Sequence, residues 1–233
     1  DPATPTHGGL GQLPLLFVKV VKNVARLFAG DGSDTAAAIA RAVDEKVTEG
    51  VYRLDARTLG SLQKAPLVTA VPASDKPHLV LVHGTFVDTE STFGKLWQKQ
   101  PGQVRRLFDR YASVLALDHA TLGRSPTHNA LTLARSLPQG ARLHLLTHSR
   151  GGLVAEVLVR VAARPRSEPG ELDAFVPDDR AGLEELARLV VDRDLAVTRV
   201  VRVACPARGT LLASGRLDAY LSVFRWTLQL AGL

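Results

Sequence analysis

Ser149 is the residue of this sequence whose surroundings best suit a nucleophile. It lies in the segment Leu145–Leu153 (LLTHSRGGL), where an apolar run predicted as a strand meets a predicted helix. A tight, strained turn at such a junction lifts a serine out of the sheet and exposes its hydroxyl. Thr147 stands where the Gly-x-Ser-x-Gly pattern has its first glycine, and Gly151 where it has its second. The alternative is a serine that only caps the following helix.

A second segment, 80–86 (VLVHGTF), could supply hydrogen-bond donors for an oxyanion. A strand that ends in His83-Gly84 lets the next residue, Thr85, turn its backbone N–H toward the serine. Together with the N–H of Arg150, this gives two donors where negative charge would develop in acyl transfer. We expect the imidazole of His83 to be a buried hydrogen-bonding strut rather than a base. The residues that could line the site are His83, Phe86, Asp118, His119 and His148.

The third segment is 200–210 (VVRVACPARGT), which predicts a strand followed by a Pro-x-x-Gly-Thr loop. With the three segments in this order, the chain resembles the lipase-like branch of the α/β-hydrolases over residues 77–215. It is also similar to a lipase-like domain found in large bacterial multidomain proteins. The resemblance implies acyl transfer from an ester or lipid to water through Ser149, with no cofactor. No His or acid flanks Cys205 in the loop, and we expect it to be a packed cysteine.

The sequence does not supply an evident base and acid for Ser149. In the family that the chain resembles the order is serine, acid, histidine. Here all seven histidines precede Ser149, and no later aspartate ends a predicted strand. Either the chain stops before the strands that carry these residues, or the domain is an inactive hydrolase fold that serves as a scaffold for partners. A third alternative is Asp118-His119 at the end of a predicted strand; there we expect His119 to line the substrate rather than act as base.

Other functional classes find little support in the sequence. The net charge of +6 comes mostly from scattered arginines and only 5% of residues are aromatic, so we do not expect nucleic-acid binding. Asp118, His119 and His128 lack the close paired spacing of a zinc site, and a single cysteine excludes a thiolate cluster. Neither a G-x-G-x-x-G pattern nor a P-loop is present. We therefore expect no metal and no cofactor.

The elements that position these residues are predicted to alternate. Strands are predicted at Val51–Leu54, Leu67–Val71, His78–Val82, Ser113–Leu117, Arg142–Leu146 and Thr198–Ala204. Helices are predicted at Phe93–Arg110, Thr127–Leu137, Gly151–Ala163, Arg180–Asp192 and Asp218–Leu230, with a polar excursion over 164–179. Strands without a polar face indicate an α/β fold, a mostly parallel sheet with helices on both faces. By the resemblance, the C-terminal strands of an α/β-hydrolase are expected to be missing.

Residues 1–50 are predicted to form an N-terminal helical extension, and 51–233 an incomplete α/β-hydrolase domain. In the extension, Leu13–Phe28 places Lys19, Lys22 and Arg26 on one helical face. This segment is too short and too charged to span a bilayer. We expect it to pack on the domain, with peripheral contact to a membrane as the alternative. A second helix is predicted from Ser33 to about Val47.

The setting of the chain is inferred from what its sequence lacks. It contains no methionine, and no signal peptide is visible. We therefore expect a piece of a larger protein, whose other domains or chains would be its partners. The single cysteine, Cys205, is consistent with a reducing cytoplasm.

Overall fold

The computed structural model describes residues 44–45, 47–57, 65–85 and 87–205. The strands in these ranges are β1 (Gly50–Leu54), β2 (His78–Val82), β3 (Ser113–Asp118), β4 (Arg142–His148) and β5 (Ala196–Val203). The helices are α1 (Thr89–Lys99), α2 (Pro101–Arg110), α3 (Pro126–Arg135), α4 (Gly151–Ala163) and α5 (Pro177–Asp192). Outside the described residues lie Phe86, the loop 206–210, the predicted helices at Leu13–Phe28 and Asp218–Leu230, and most of the one from Ser33.

The strands form one sheet in the order β1-β3-β2-β4-β5. The prediction of a mostly parallel sheet is confirmed, with β1 pairing antiparallel to β3. Val82, the last residue of β2, pairs with Leu117 of β3 on one side and Thr147 of β4 on the other. The next strand in sequence, β3, therefore lies on one side of β2, and the strand after it, β4, lies on the other side. The carboxyl end of β2 is therefore at a switch point, where open α/β sheets bind ligands.

Helices cover both faces of the sheet, as predicted. On one face α3, α4 and α5 pack over the inner strands through buried leucines such as Leu133, Leu158 and Leu186. On the other face Phe93 and Trp97 of α1 pack with Val104 of α2. Alternate side chains of each central strand enter the two cores, which is why these strands are apolar throughout.

The segment predicted as one helix, Phe93–Arg110, is two helices. α1 ends at Lys99 and α2 begins at Pro101, because a proline has no N–H to donate and its ring clashes with the preceding turn. α1 also begins earlier than predicted. Asp88 caps it, since the Asp88 carboxylate accepts a 2.7 Å hydrogen bond from the Ser91 N–H.

Other boundaries also differ from the sequence-based ones. In the stretch predicted as a strand at Leu67–Val71, Leu67 makes only an isolated bridge to Tyr52, between two prolines that cannot donate to a ladder. α5 begins at Pro177, a favourable first helical residue, rather than at Arg180. β4 continues past Leu146 to His148, so Ser149 directly follows the strand.

β5 is the least covered strand of the described sheet. Val201 and Val203 are 49% and 47% exposed. Its last residue also contacts the turn after β4, because the N–H of Ser149 donates a 2.9 Å hydrogen bond to the carbonyl of Val203. A backbone hydrogen bond therefore joins β5, at the border of the sheet, to the turn after β4.

The described helices are short. The sixteen-residue α5 carries acidic and basic residues along its length. None of the helices in the ranges described is long and apolar enough to cross a membrane.

Candidate active site

Ser149 occupies a strained turn between β4 and α4. Its φ of +51° is in the left-handed region that residues with a β-carbon avoid. Holding a serine there costs about 1–2 kcal/mol, which the surrounding contacts must offset. The residue is half-buried. A strained turn between a strand and a helix is the backbone feature predicted above for Ser149, and residues 147–151 are called the elbow from here on.

Two glycines allow the turn to sit against the end of β2. A β-carbon added to Gly84 would lie 2.8 Å from the Ser149 Cβ. One added to Gly151 would lie 2.6 Å from the carbonyl oxygen of His83 and would also collide with that of Val82. Real β-carbons do not approach backbone this closely, so only glycine fits at Gly151. The two segments singled out from the sequence are thus in direct contact.

The two amides expected to hold an oxyanion are available. In the part of the chain that the structure describes, neither the Thr85 N–H nor the Arg150 N–H donates to a carbonyl or a side chain. Arg150 directly precedes α4, whose N-terminus adds a partial positive charge. Thr85 is half-buried, next to the buried Gly84. Free donors beside a serine are what a developing negative charge requires.

His83 fixes the peptide that carries the Thr85 N–H. Its Nδ1 lies 2.9 Å from the carbonyl oxygen of Gly84, and its Nε2 lies 3.2 Å from the backbone nitrogen of His119. A carbonyl only accepts and a backbone N–H only donates, so His83 is neutral with its proton on Nδ1. In a trans peptide the C=O and the next N–H point in opposite directions. Holding the Gly84 carbonyl therefore directs the Thr85 N–H away from His83.

Asp118 and His119 are buried below the edge of the sheet where the parallel strands end, which we call the rim. Asp118 accepts hydrogen bonds from the backbone N–H and the hydroxyl of Thr89, at 3.0 and 2.6 Å. Its Oδ1 also lies 3.4 Å from His83 Nε2. The ring of His119 stacks on that of His83, with centroids 4.1 Å apart. These contacts tie the ends of β2 and β3 to the start of α1.

Burial decides the ionisation of this cluster. It lowers the pKa of His83 despite the nearby Asp118 carboxylate. It also lowers the pKa of His119, well below the ordinary value, and His83 and Arg150 add to that effect. Burial raises the pKa of Asp118, with His83 and Thr89 opposing. All three shifts favour the uncharged side chain, as expected for ionisable groups removed from water.

The side chain of Arg150 reaches the loop after β3, a region that the sequence analysis did not single out. Its Nη2 donates a 2.5 Å hydrogen bond to the carbonyl of Arg124, while its Nη1 is buried with no hydrogen-bond partner. Burial lowers its pKa, and the carboxylate of Asp44 opposes this. Asp44 itself is bound to the backbone of 121–123. An arginine thus sits beside the elbow with an unused donor.

Among the described residues, no histidine is hydrogen-bonded to the hydroxyl of Ser149. Neither His83 nor His119 hydrogen-bonds to its hydroxyl, and each has another contact. The Nδ1 of His148 is buried without a hydrogen-bond partner, at a point that a β-carbon on Gly84 would approach to 3.1 Å. In the described residues, then, Ser149 lies near two undonated backbone N–H groups, and no histidine is hydrogen-bonded to its hydroxyl.

Other features lie apart from the serine. A cavity of about 470 Å³ opens between the excursion after α4 and α5, with Leu172, Arg180 and Arg188 in its wall, and Ser149 is not part of it. Within the described ranges, no three His, Cys, Asp or Glu side chains are arranged to hold a metal ion. The single cysteine, Cys205, packs on the elbow helix, where a β-carbon on Gly152 would come within 2.6 Å of its Cβ.

Two residues of this region could not be found from sequence. Asp88-Thr89 is typical of a helix start, but nothing in the sequence indicates that Thr89 also binds Asp118. Asp44 lies in a stretch predicted as helix, and its contact with the loop after β3 spans more than seventy residues. Ser149 and the His83-Gly84 segment, by contrast, could be singled out from sequence because each is part of a local motif.

Residues 49–176 match a family described as a domain of unknown function, DUF7379. No curated protein matches the sequence. The match runs from just before β1 to just before α5 and so contains the His83-Gly84 turn, the Asp118-His119 pair and the elbow. It covers more than half of the 233 residues. The chain belongs to the DUF7379 domain family.

Proposed function

We propose that this chain is the core of a lipase-like α/β-hydrolase that transfers an acyl group from an ester or lipid to water through Ser149. The observation that carries the proposal is the pairing of a serine at φ +51° with a glycine whose added β-carbon would lie 2.8 Å from the serine Cβ. The free N–H groups of Thr85 and Arg150 support it. A serine that only caps a helix needs none of these features.

In the proposed reaction the Ser149 oxygen attacks the ester carbonyl carbon and gives its proton to a general base. The negative charge that develops on the carbonyl oxygen is held by the N–H groups of Thr85 and Arg150. Collapse of this intermediate breaks the bond to the alcohol, which leaves with a proton returned by the base. Water then attacks the acyl-serine by the same steps and releases the acid.

The proposed reaction needs a general base that takes the proton of Ser149. The histidines among the described residues precede Ser149, and none hydrogen-bonds to it. We propose that the histidine and its acid come from another segment or chain of a larger protein, as the order serine, acid, histidine of such enzymes requires. The reaction needs no cofactor.

The setting of the enzyme is part of the same proposal. A free thiol at Cys205 suits the cytoplasm. The apolar segment Leu13–Phe28 would suit a packed helix or a peripheral contact with a membrane that contains the substrate. Other domains of a larger protein would be partners, and nucleic acid would not.

Covalent labelling with a fluorophosphonate tests the proposal. We expect the full-length protein to be labelled and its Ser149→Ala variant not. Ser167→Ala, which removes an exposed serine of the excursion after α4, is the matched control and should label like wild type. Absence of label from full-length wild type, or equal labelling of Ser149→Ala, would rule the enzyme out.

One observation favours a second candidate, an inactive hydrolase fold that serves as a scaffold. No histidine among the described residues is hydrogen-bonded to the Ser149 hydroxyl. The two candidates differ in what the full-length protein does with the label, because a scaffold has no reason to activate Ser149. A histidine within about a hundred residues after Leu233, following an apolar strand, would favour the enzyme.

A further inference from the structure

Three consecutive backbone amides after β3 converge on one carboxylate. Oδ1 of Asp44 accepts from the N–H groups of Thr121 and Leu122 at 2.8 and 3.3 Å, and its Oδ2 accepts from the N–H of Gly123 at 2.5 Å. Successive N–H groups that point into one concavity form an anion-binding nest. The structure therefore contains such a nest with a carboxylate bound in it.

A positive side chain lies beside this nest. Asp44 acts electrostatically on Arg150, whose Nη2 is fixed to the carbonyl of Arg124, the residue after the nest. The Nη1 of Arg150 is buried with no hydrogen-bond partner, and burial lowers the pKa of the guanidinium. A buried guanidinium nitrogen without an acceptor is costly unless a ligand supplies one. The carboxylate of Asp44 acts electrostatically on this guanidinium, so the unpartnered nitrogen and the nest belong to one region of the molecule.

Asp44 lies outside the residues that match the family, unlike the rest of the site. The nest and Arg150 lie within residues 49–176, which the chain shares with its family, whereas Asp44 precedes them. The bonds from Leu122 and Gly123 to Asp44 are exposed, and the bond from Thr121 is part-buried. Asp44 is not a member of either hydrophobic core.

We propose that the loop 121–123 and Arg150 form a binding site for the oxyanion group of a ligand, a carboxylate or a phosphate, and that Asp44 occupies this site as an internal competitor. The ligand replaces the three hydrogen bonds of Asp44 and gives Arg150 Nη1 its acceptor. Because Arg150 directly follows Ser149, an acidic group bound here would lie on the same rim as the elbow. The site does not depend on hydrolysis and stands if Ser149 is inert.

Calorimetric titration of the whole 233-residue chain with inorganic phosphate tests this, with acetate as the carboxylate arm and constant ionic strength. A tethered competitor weakens the apparent affinity of a free ligand. We therefore expect Asp44→Ala and Asp44→Asn to bind at least one of the two anions at least about tenfold more tightly than wild type. Glu45→Ala removes the neighbouring exposed carboxylate and should bind like wild type.

Arg150→Gln in the Asp44→Asn background separates a site from a general charge effect. It should reduce anion affinity by about tenfold or more, since a charge-assisted donor is lost. Preference for phosphate or for acetate identifies the oxyanion. Unchanged affinity in both folded Asp44 variants would overturn the proposal, and so would indifference to Arg150→Gln. Failure of both Asp44 variants to fold would overturn it too, because Asp44 would then be a structural tie.

Discussion

His83 donates its Nδ1 hydrogen to the carbonyl of Gly84, 2.9 Å away, and so orients the peptide that presents the Thr85 N–H. Replacing His83 by alanine removes this donor and leaves the N–H of His119 without its acceptor. We expect the free energy of unfolding to fall by about 2–3 kcal/mol, from lost hydrogen bonds and a cavity. Urea denaturation measures this. His83→Asn, whose amide can still donate to Gly84, should restore part of any fluorophosphonate labelling that His83→Ala loses; equal labelling of the two variants would contradict the orienting role.

Gly84→Ala tests the close contact between Gly84 and Ser149. The new β-carbon would lie 2.8 Å from the Ser149 Cβ, so the turn must shift. We expect a loss of about 1–3 kcal/mol in the free energy of unfolding, together with reduced labelling of Ser149. The control is Gly102→Ala in α2, where nothing lies within 4 Å of the added carbon. That change should stabilise the protein by about 0.5–1 kcal/mol; similar values for the two variants would mean that the close approach is absent.

Ser149→Gly and Ser149→Ala should differ in stability because of the positive φ at this position. Glycine tolerates a φ of +51°, whereas alanine keeps the β-carbon that strains it. We expect the glycine variant to be more stable than the alanine variant by about 1 kcal/mol, measured by chemical denaturation. An alanine variant of equal or greater stability would show that the elbow is not strained.

The lowered pKa of His119 predicts a loss of stability in mild acid. The groups that act on it are the ring of His83, the guanidinium of Arg150 and the carbonyl of Leu117. In the unfolded chain a histidine takes up a proton as the pH falls through about 6.5. In the folded protein the pKa of His119 is lower, so its ring stays neutral at that pH. The unfolded state therefore binds more protons, and the free energy of unfolding falls as the pH drops below about 6.5.

Denaturation curves between about pH 7.5 and 5.5 measure this slope, which cannot exceed about 1.4 kcal/mol per pH unit for each histidine. His83 contributes in the same direction, because burial lowers its pKa too. His119→Phe keeps a ring for the stack and cannot titrate, so its slope should be smaller than that of wild type. If both slopes are equal, His119 is not the group that responds.

The sequence predicts the structural elements that depend on a pattern of residues within one short segment. The central strands are unbroken apolar runs such as His78–Val82, and their position in the middle of the sheet follows from having no polar face. The same pattern contains no information on direction, which is why the antiparallel pairing of β1 was not predicted. The helix break at Pro101 could have been read from the proline itself.

The candidate site also has parts that a local sequence pattern predicts and parts that it does not. Ser149 and the His83-Gly84 turn are motifs a few residues long, and their contact follows from parallel strands that end at one edge. The tie between Thr89 and Asp118 and the capture of 121–123 by Asp44 join residues far apart in the chain. Such contacts arise from tertiary packing, and their residue types are ordinary for helix ends and loops. No local pattern could predict them.

The hydrogen bond from the Ser149 N–H to the Val203 carbonyl links the proposed nucleophile to β5, at the border of the described sheet. Val203 is 47% exposed, so this support comes from a border and not from the interior. A twist or displacement of that border would reach the serine backbone through this amide and through the pairing of His148 with Val203 just before it. The alignment of the hydroxyl with its neighbouring amides is thus sensitive to whatever touches the flank of the sheet, even when nothing enters the rim.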